Sequence, residues 1–513
     1  MRSALRLAWR WPTLAGLLTL ALLIPVWSVR YPPLQDYPNH LARAYISLHL
    51  NDPGSPFARY YTLDLAPVPN ALSDLALLAL GSALPMETAG KVLLSINLAA
   101  LPWAVIAFLR ATGRPDWRTL GLFGWVFAYS HFTDRGYLNY CLGLWLLLLA
   151  LACIVRFDRS SAGPTAGRWG WGALAALLIA LTYLAHLFAL IALTVALVVI
   201  ALAGKRDWRR LARLASLWAP TAGLSLLYLS TLRTGNGFVW TWYPSLTEYG
   251  RVLVQSFMAY DTRRELLSYA PAILLWGGLA AWGVYRAPAG RRLALDKDTA
   301  TATGLYPASH WLGASFAVLL CSAVTPLTIS AVGGQKVDLL IRLGQRFVLP
   351  GLFLALAGLP TLRGRPRRGA QIVLIASATA VIAGTGLTYH RYQPSLTAIA
   401  GSLQQLEPGL ALGHWTDLPY TCNTNPYRHF ADYVVIWRNA PVAGLFTDYS
   451  LLRQRIPMPS TLDDGLTAAT LPADSRFYPQ FAILSKDPPP AVVQWYERVG
   501  GAGNCSLWRS RVH

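Results

Sequence analysis

Long apolar runs separated by arginine-rich segments constrain this chain more than any other feature of its sequence. The first run extends from Leu14 to Trp27 and follows Arg2, Arg6 and Arg10. A helix needs about 20 apolar residues, and sometimes as few as about 17, to cross the roughly 30 Å hydrocarbon core of a membrane. A water-soluble fold is poorly compatible with a chain of 54% hydrophobic and only 13% charged residues. The sequence predicts an α-helical polytopic membrane protein.

About eleven membrane spans follow from the charges that bracket these runs. We interpret the first run as a retained span, because the sequence Pro25-Val26-Trp27 offers no small-residue site for cleavage of a secretory signal. The segment 120–129 is short for a complete crossing. After the first span, the predicted spans comprise residues 88–109, 120–129, 140–155, 169–183, 187–203, 214–231, 267–284, 307–324, 346–362 and 371–389.

The basic residues predict the orientation of these spans. Lys and Arg in short loops are retained on the cytoplasmic side of a membrane, and alternate connections of this chain are rich in arginine. The clusters that begin at Arg2, Arg110, Arg156, Lys205, Arg286 and Arg363 hold half of all 44 Lys and Arg residues. We therefore expect a cytoplasmic N-terminus and an extracytoplasmic region after residue 389. The Leu-, Ala- and Arg-rich composition favours a bacterial inner membrane.

The formal net charge of +20 does not indicate nucleic acid as a partner. The basic residues lie in short loops, where membrane topology and anionic lipid headgroups account for them. The sequence contains no P-loop, no G-x-G-x-x-G motif that opens a helix and no H-E-x-x-H motif. Nucleotide hydrolysis and zinc proteolysis therefore lack the motifs that usually support them, and membrane lipids are the partners that this charge pattern predicts.

The composition divides the chain into two regions. Residues 1–389 form the predicted membrane region, and residues 390–513, richer in Asp, Asn, Pro and Tyr, form a predicted small extracytoplasmic α/β domain. Within the first region, residues 28–87 form a long outer loop. Its segment 71–84 is too short for a span and is interrupted by Asp74, which favours a helix that lies on the outer surface.

The C-terminal region contains two candidate strands and one candidate disulfide. β-branched and aromatic residues predict buried strands at 432–437 and 477–484, next to turn-rich segments. Cys422 and Cys505 are the only cysteines of this region, and an oxidising compartment would allow them to form a disulfide. Two unpaired buried thiols are the alternative, since spacing alone fixes no disulfide geometry.

The beginning of the outer loop carries the strongest candidate for chemistry. Residues 32–44 read PPLQDYPNHLARA, and a helix is expected to begin just after Asp36. Asn39 and Arg43 are four residues apart and share one face of that helix, next to His40. Asp36 is a candidate general base for an incoming hydroxyl. The alternative is that its carboxylate caps the helix.

This segment, the apolar span before it and the many spans after it resemble the GT-C superfamily of membrane glycosyltransferases, which includes protein mannosyltransferases and lipid A aminoarabinose transferases. The resemblance lies in the layout of residues 1–389 and, in detail, in residues 32–44. It implies that Asp36, as the acidic residue of the first outer loop, is the catalytic base, and that the donor is a sugar linked to polyprenyl phosphate. Where many relatives have Asp-Glu, this chain has Asp36-Tyr37. Support for a divalent metal is therefore weak, and no other cofactor is implied.

Asp36 could still combine with a distant acid. The resemblance implies an acidic residue on the second outer loop, and Asp134, which occupies that place, is the second catalytic candidate. A salt bridge to the adjacent Arg135 is the alternative for this residue. His186, at an outer turn between two spans, is a candidate to contact a phosphate or a sugar, with hydrogen-bonded packing as the alternative. Four residues of the C-terminal region could close over the acceptor, without an assigned catalytic role: His414, Asp417, His429 and Asp432.

A donor that carries a phosphate needs cations near the outer interface. Lys336, Arg342 and Arg346 precede or open the tenth predicted span. Arg342 and Arg346 are four residues apart and share a face of any helix there, and the planar guanidinium can bind two phosphate oxygens at once. In the alternative interpretation, Arg346 reaches the lipid headgroups and Arg342 pairs with Asp338.

These residues together predict a glycosyltransferase that moves a sugar from a polyprenyl-phosphate-linked donor to a hydroxyl of a lipid, glycan or protein acceptor outside the cytoplasm. Asp36 would accept the proton of that hydroxyl, and Arg342 and Arg346 would stabilise the charge of the leaving phosphate. The further candidates for substrate binding are Asn39, His40, Arg43, His186 and Lys336. Two other classes remain open, a transporter or flippase of lipid-linked saccharides and a non-catalytic membrane assembly protein. The sequence lacks the paired, interrupted helices in two related halves that transporters tend to have.

Overall fold

A computed structural model gives the arrangement of most of the chain. The residues that the structure describes are 2–160, 165–203, 207–231, 237–242, 245–286, 307–332, 335–339, 343–416, 418, 423–442, 444–445, 450–456, 458, 478–485 and 490–511.

Helices dominate the described residues. The α-helices are α1 (Arg2–Trp27), α2 (Tyr37–Leu48), α3 (Phe57–Tyr60), α4 (Ala71–Gly81), α5 (Met86–Ala111), α6 (Trp117–Leu120), α7 (Phe123–Val126), α8 (His131–Asp134), α9 (Leu138–Arg159), α10 (Thr165–Ala185), α11 (Leu187–Ala203), α12 (Trp208–Ser216), α13 (Ala219–Thr231), α14 (Leu246–Gln255), α15 (Thr262–Arg286), α16 (Ala308–Cys321), α17 (Val348–Gly358), α18 (Gly364–Leu403), α19 (Val434–Arg438) and α20 (Pro490–Trp495). Two 3₁₀ helices span Leu343–Phe347 and Phe430–Tyr433. The strands are β1 (Tyr61–Leu63), β2 (Gly237–Trp242), β3 (Val324–Val332), β4 (Gln335–Leu339), β5 (Leu412–Thr416), β6 (Leu452–Gln454), β7 (Gln480–Leu484), β8 (Tyr496–Gly500) and β9 (Cys505–Ser510).

Four of the described helices are long and apolar enough to cross a membrane. They are Met86–Ala111, Leu138–Arg159, Arg263–Gly283 and Gly364–Leu403. Shorter apolar helices lie at Trp11–Trp27, Ala71–Gly81, Trp169–Ala185, Leu187–Leu202 and Ala308–Cys321. The prediction of a mainly helical membrane protein is confirmed, whereas the number of about eleven spans stays a prediction.

The predicted span 120–129 is not one continuous helix. It is divided between the end of α6 and the separate short helix α7. Gly124 lies directly against α5, where an added Cβ would come within 2.5 Å of the Cα atom of Pro102. Every residue of the segment is buried. Its apolar composition therefore reflects a position inside the bundle rather than contact with lipid.

The segment after α16 differs from the predicted arrangement. β3 and β4 follow α16 and form an antiparallel sheet with β2, in the order β2-β3-β4. Lys336 lies on β4, and Arg346 lies on the 3₁₀ helix Leu343–Phe347. α17, which follows, is short and buried over its whole length.

α18 joins the two predicted regions. It contains 40 residues, which at 1.5 Å per residue make a rod of about 60 Å, roughly twice the hydrocarbon thickness of a membrane. The predicted limit between residues 389 and 390 falls inside this helix. The division of the chain into two domains therefore stays a prediction, and a continuous helix carries the chain from one region to the other.

A four-stranded sheet forms the centre of the C-terminal region. Its strand order is β5-β7-β9-β8, with β5 parallel to β7 and the other pairs antiparallel. β7 confirms the strand predicted at 477–484. The strand predicted at 432–437 is wrong, because a 3₁₀ helix and then α19 occupy that segment. β6 pairs with β1 and so connects this region to the outer loop.

Aromatic side chains pack the C-terminal region against the beginning of the outer loop. The ring of Tyr31 lies 5.5 Å from that of Phe430, 5.6 Å from that of Tyr433 and 5.6 Å from that of Trp437, centroid to centroid. The indole N–H of Trp437 donates a hydrogen bond of 2.7 Å to the carboxylate of Glu87. These contacts hold residues 430–437 next to the loop that contains Asp36.

Candidate active site

Asp36 occupies the position that precedes α2, but its carboxylate does not cap the helix. The proline in the first turn favours the start of a helix here, because its φ is fixed near the helical value. The backbone carbonyl of Asp36 accepts the N–H of His40 at 3.2 Å, and no capping hydrogen bond involves the side chain. The residue is only 5% exposed. Helix capping by this carboxylate is therefore excluded, and the general-base role stays a prediction.

Two side chains lie close to the Asp36 carboxylate. Gln35 donates an amide hydrogen bond of 3.0 Å to Oδ1, and Nε2 of His429 lies 3.9 Å from the same oxygen. The backbone N–H of Asp36 donates to the carbonyl of Arg135 at 2.9 Å. The turn after α8 and the C-terminal region thus both contact Asp36.

Gly136 allows this close approach of the two backbones. Its φ is +80°, a left-handed conformation that glycine adopts without steric cost. A Cβ atom at this position would lie 2.7 Å from the backbone nitrogen of Tyr37 and 3.1 Å from that of Asp36. The position of Asp36 therefore depends on the absence of a side chain at residue 136.

A buried polar network connects α2 to the C-terminal region. Nδ2 of Asn39 donates to Oδ2 of Asp432 at 3.0 Å. Nδ1 of His429 lies 3.2 Å from the same oxygen, and Nε2 of His414 lies 3.1 Å from the other oxygen. None of the four side chains belongs to a residue more than 2% exposed. Burial alone would raise the pKa of Asp432, but the hydrogen bonds with His414 and His429 outweigh it and lower that pKa.

Arg43 belongs to a second buried group, which Asn39 joins to the first. It donates to Asp74 on α4 at 2.8 Å and to Asn39 at 3.1 Å, and its guanidinium lies 2.9 Å from Nδ1 of His40. Burial alone would raise the pKa of Asp74, but Arg43 and then His40 outweigh it and lower that pKa. Burial and the Arg43 charge lower the pKa of His40. The charge of Arg43 is therefore balanced inside the protein, so the predicted contact of Asn39, His40 and Arg43 with substrate competes with a structural use.

Asp134 lies on α8 in contact with buried tyrosines. Its Oδ1 accepts a hydrogen bond of 3.0 Å from the Tyr389 hydroxyl, and the hydroxyl of Tyr260 donates to its backbone carbonyl at 3.2 Å. Burial and the nearby Glu265 raise the pKa of Asp134 well above its usual range. Among the ion pairs of the described residues there is none between Asp134 and Arg135, so the alternative of a salt bridge does not hold there.

Two arginines converge on one aromatic ring beside this turn. The guanidinium of Arg135 lies 5.7 Å from the ring centroid of Tyr137, and that of Arg346 lies 5.3 Å from it. Arg346 is also 5.4 Å from the ring centroid of Phe188, and its carbonyl accepts the Tyr140 hydroxyl at 3.0 Å. Within the described part of the chain, neither arginine pairs with a carboxylate. Stacking of a guanidinium on a ring leaves its N–H edge available for an anion.

His186, Arg342 and Lys336 are the other basic residues predicted to contact the substrate. His186 is buried, its Nδ1 accepts the N–H of Phe188 at 3.2 Å, and its ring packs 5.3 Å from that of Tyr140. Burial and the neighbouring Arg346 lower the pKa of His186 well below its usual value, so it is a neutral ring beside a cation. Arg342 and the side chain of Lys336 lie outside the described residues.

The predicted disulfide stays untested, because Cys422 lies outside the described residues, while Cys505 is buried on β9. Among the side chains that the structure describes, no group of three or more His, Cys, Asp or Glu residues is arranged to hold a metal ion. No metal ligand is therefore assigned at Asp36.

Sequence reasoning did not connect Asp36 with its actual neighbours. It named His414, His429 and Asp432 as residues that could close over an acceptor, with a local pair of His429 and Asp432 as the alternative, and it considered Arg135 only as a partner of Asp134. The single local signal was the spacing of three between His429 and Asp432. The rest depends on contacts between segments about 390 residues apart, such as that of Asn39 with Asp432, which no local pattern indicates.

Comparison with known proteins gives a match in fold rather than in sequence. No protein-family model and no curated protein matches the chain. Among solved structures, ArnT from Cupriavidus metallidurans in the apo state aligns with a TM-score of 0.58 and 13% identity over 98% of both chains. The same protein bound to undecaprenyl phosphate aligns with a TM-score of 0.52 and 12% identity over 97% of both chains.

A third structure, the arabinofuranosyltransferase AftD from Mycobacteria, has a TM-score of 0.49 and 14% identity and covers 98% of this chain but 40% of its own. A TM-score below 0.5 does not establish a shared fold. The alignment with ArnT extends over nearly the whole of both molecules, including the outer loop and the C-terminal region. The chain thus shares the overall fold of ArnT, in agreement with the GT-C fold that the resemblance of residues 32–44 implied.

Proposed function

We propose that the protein transfers a sugar from a polyprenyl-phosphate-linked donor to a hydroxyl of an acceptor at the extracytoplasmic face of the membrane, with Asp36 as general base. The single observation that carries this proposal is the state of the Asp36 carboxylate. It is buried, it caps no helix, and the backbone of Asp36 contacts Arg135, whose guanidinium pairs with no carboxylate among the described residues.

The donor class is supported by fold and by charge. A solved structure of ArnT, which has a similar fold, contains undecaprenyl phosphate. In this chain, Arg135 and Arg346 flank Tyr137, and the backbone of Arg135 contacts Asp36. Two guanidinium groups on one ring, next to the turn whose backbone contacts Asp36, suit transfer from a lipid phosphate, since the cations can bind the leaving group while the base acts on the acceptor.

The proposed reaction is a displacement with inversion at the anomeric carbon. Asp36 accepts the proton of the acceptor hydroxyl, whose oxygen forms a bond to the anomeric carbon. The bond between that carbon and the phosphate oxygen breaks, and its electron pair leaves with the polyprenyl phosphate. Arg135 and Arg346 stabilise the charge of this leaving group.

Asp134 has a smaller part in the proposal. Burial and the nearby Glu265 raise the pKa of this carboxyl group well above its usual range, so its ionised form is disfavoured relative to that of an exposed aspartate. It accepts a hydrogen bond from Tyr389 and lies on the helix that precedes Arg135. We propose that Asp134 helps to position the turn that contains Arg135, and that Asp36 alone accepts the proton of the acceptor hydroxyl.

The test is an assay of the purified protein in lipid nanodiscs with a panel of polyprenyl-phosphate sugars, with release of polyprenyl phosphate as the readout. Asp36→Asn keeps the size of the side chain and removes its basicity. We expect it to lower the rate by about 100-fold or more without a loss of thermal stability. Asp52→Asn is the matched control, because Asp52 is an exposed carboxylate of the same loop.

Two results would contradict the proposal. One is wild-type turnover by a folded Asp36→Asn variant, which would remove Asp36 from the chemistry. The other is movement of the intact donor across the bilayer without release of polyprenyl phosphate, which would identify a flippase instead.

A further inference from the structure

The C-terminal region brings a row of buried titratable groups to the Asp36 carboxylate. His414 contacts one oxygen of Asp432, and His429 contacts the other at 3.2 Å through Nδ1. The opposite nitrogen of His429, Nε2, lies 3.9 Å from Oδ1 of Asp36. The row therefore runs from β5, the edge strand of the C-terminal sheet that carries His414, to the residue proposed as the base.

The charge of Asp432 and the tautomer of His429 define the direction in which a proton can move along the row. The pKa of Asp432 is lowered by its two histidine neighbours, so its carboxylate is an acceptor at neutral pH. Of the two groups near Nδ1 of His429, the Asp432 oxygen at 3.2 Å is closer than the amide nitrogen of Asn39 at 3.4 Å. A carboxylate that accepts the Nδ1–H of a histidine favours the tautomer in which Nε2 carries the lone pair. In His429 that lone pair is on the side of Asp36. The amide of Asn39 donates to the same Asp432 oxygen at 3.0 Å and holds the carboxylate in this orientation.

A purely structural network would not need this arrangement. Burial of a histidine and a carboxylate is costly unless both are fully satisfied, and a pair of apolar residues would join α2 to the C-terminal region at lower cost. The side chains instead retain four titratable groups in series, at 0 to 5% exposure. Their end point is the one carboxylate to which the proposed function assigns the proton of the acceptor.

We propose that His429 is a proton-relay and positioning residue for Asp36, and that Asp432 holds it in the productive tautomer. This inference rests on the proposed function of Asp36. When the acceptor O–H bond breaks, its proton first binds the Asp36 carboxylate and then passes to Nε2 of His429, which becomes an imidazolium stabilised by Asp432. The base is thereby restored to its ionised form while the sugar is still bound. A contact of 3.9 Å in the free protein has to shorten for direct transfer, as catalytic contacts do when substrate binds.

The charged and titratable groups around the Asp36–His429 pair come from every element packed against it. They are His40 and Arg43 on α2, Asp74 on α4, Arg135 after α8, His414 on β5 and Asp432 on the 3₁₀ helix Phe430–Tyr433. Asp74 balances Arg43, so the two histidines of the row and Asp432 are the groups that respond to a change at residue 429.

The experiment compares His429→Gln with His429→Asn in the full-length protein. Gln removes the ring and its basicity, whereas Asn retains an amide donor near the position of Nδ1 for Asp432. We expect both to lower kcat by about 10- to 100-fold with little change in the KM of the donor. The acid limb of the pH–kcat profile should move to lower pH in both, since the rate no longer falls when a histidine is protonated. Asp432→Asn should have the same effect on kcat.

His49→Gln is the matched control, because His49 is a partly exposed histidine at the end of α2 and should leave both kcat and the pH profile unchanged. Imidazole in the buffer should restore part of the kcat of His429→Ala, which a structural loss would not allow. Wild-type kcat and an unshifted acid limb in His429→Gln would overturn the relay.

The outcome with Asp36→Asn separates this inference from the proposed function. If Asp36→Asn is inactive and His429→Gln is fully active, the base is right and the relay is wrong. If Asp36→Asn retains wild-type activity, the proposed role of Asp36 as the base is wrong, and the relay that depends on it is wrong as well. Should His429→Gln not fold, His429→Asn and imidazole rescue of His429→Ala give the same decision.

Discussion

The charges of two residues, Asp36 just before α2 and Arg43 within it, are compensated to different extents. Arg43 forms a buried ion pair of 2.8 Å with Asp74, so its charge is compensated inside the protein. Asp36, seven residues earlier, has no Lys or Arg within ion-pair distance among the described residues, and its nearest basic group is His429 at 3.9 Å. A buried carboxylate without a cation is costly to maintain. This cost is consistent with a catalytic role for Asp36, whereas the compensated charge of Arg43 is consistent with a structural role.

Arg346 offers a test of the donor site at the scale of one residue. Arg346→Ala should raise the KM of a polyprenyl-phosphate donor by about tenfold or more, because a charged hydrogen bond to phosphate contributes about 1.5–3 kcal/mol. Arg346→Lys should recover only part of the affinity, since an ammonium lacks the planar fork. Steady-state kinetics against donor concentration checks both.

Arg365→Ala is the control for this prediction. Arg365 is exposed near the beginning of α18, and its removal changes the net charge by the same amount. An equal change of KM in the two alanine variants would show that net charge, rather than the Arg346 site, controls binding of the donor.

At the scale of elements, the turn between α8 and α9 sets the position of Asp36. Gly136→Ala should disturb it in two ways, because the left-handed φ of +80° disfavours a side chain and the new Cβ would lie 2.7 Å from the backbone of Tyr37. We expect kcat to fall by about tenfold or more, as a displacement near 1 Å of a catalytic group has large effects on rate. Thermal unfolding and kcat are measured together.

Gly54→Ala separates backbone strain from steric displacement. Gly54 has almost the same φ, +79°, but no atom lies within 4 Å of the Cβ that it would gain. It should lose only the left-handed strain, about 1–2 kcal/mol, at unchanged kcat. If both variants lose the same activity, the contact between Gly136 and Tyr37 does not control Asp36.

The elements show which parts of the fold a single sequence can predict. α4 and β7 were predicted because each has a local pattern of the right length. The segment 432–437 was assigned to a strand because Val434, Val435 and Ile436 favour strands, whereas tertiary packing makes it α19, which ends at Asn439 with a left-handed φ of +51°. The segment 120–129 looked like a span because apolarity alone does not distinguish lipid from protein surroundings.

The candidate site was likewise predicted only in part from the sequence. Asp36 was found because its loop follows an apolar span and resembles a known family in residues 32–44. Its partners were not found, because His429 and Asp432 are brought to it by the packing of the whole C-terminal region. A local sequence pattern indicates residue types within a few turns of a helix, and it contains no information on which distant segment covers them.

At the scale of the whole molecule, aromatic packing holds the C-terminal region over the site. Trp437 stacks on Tyr433 at 5.0 Å with an interplanar angle of 6° and donates to Glu87. Trp437→Ala should destabilise the protein by about 3 kcal/mol, lower kcat, and make the C-terminal region more sensitive to limited proteolysis. Thermal unfolding and the rate of proteolytic cleavage check this.

Trp437→Phe is the comparison, since it keeps an aromatic face for Tyr433 and loses only the hydrogen bond to Glu87. It should stay within about 1.5 kcal/mol of the wild type. Destabilisation of both variants without a change in proteolysis of the C-terminal region would mean that Trp437 supports the membrane helices and not the cover of the site.

The unbroken length of α18 has a consequence for how such a chain can vary. Because each residue advances a helix by about 1.5 Å and turns it by about 100°, adding or removing one residue between Gly364 and Leu403 would rotate everything that follows. Asp432 would then face away from Asn39. The number of residues in this helix is therefore constrained by the buried contact between Asn39 and Asp432.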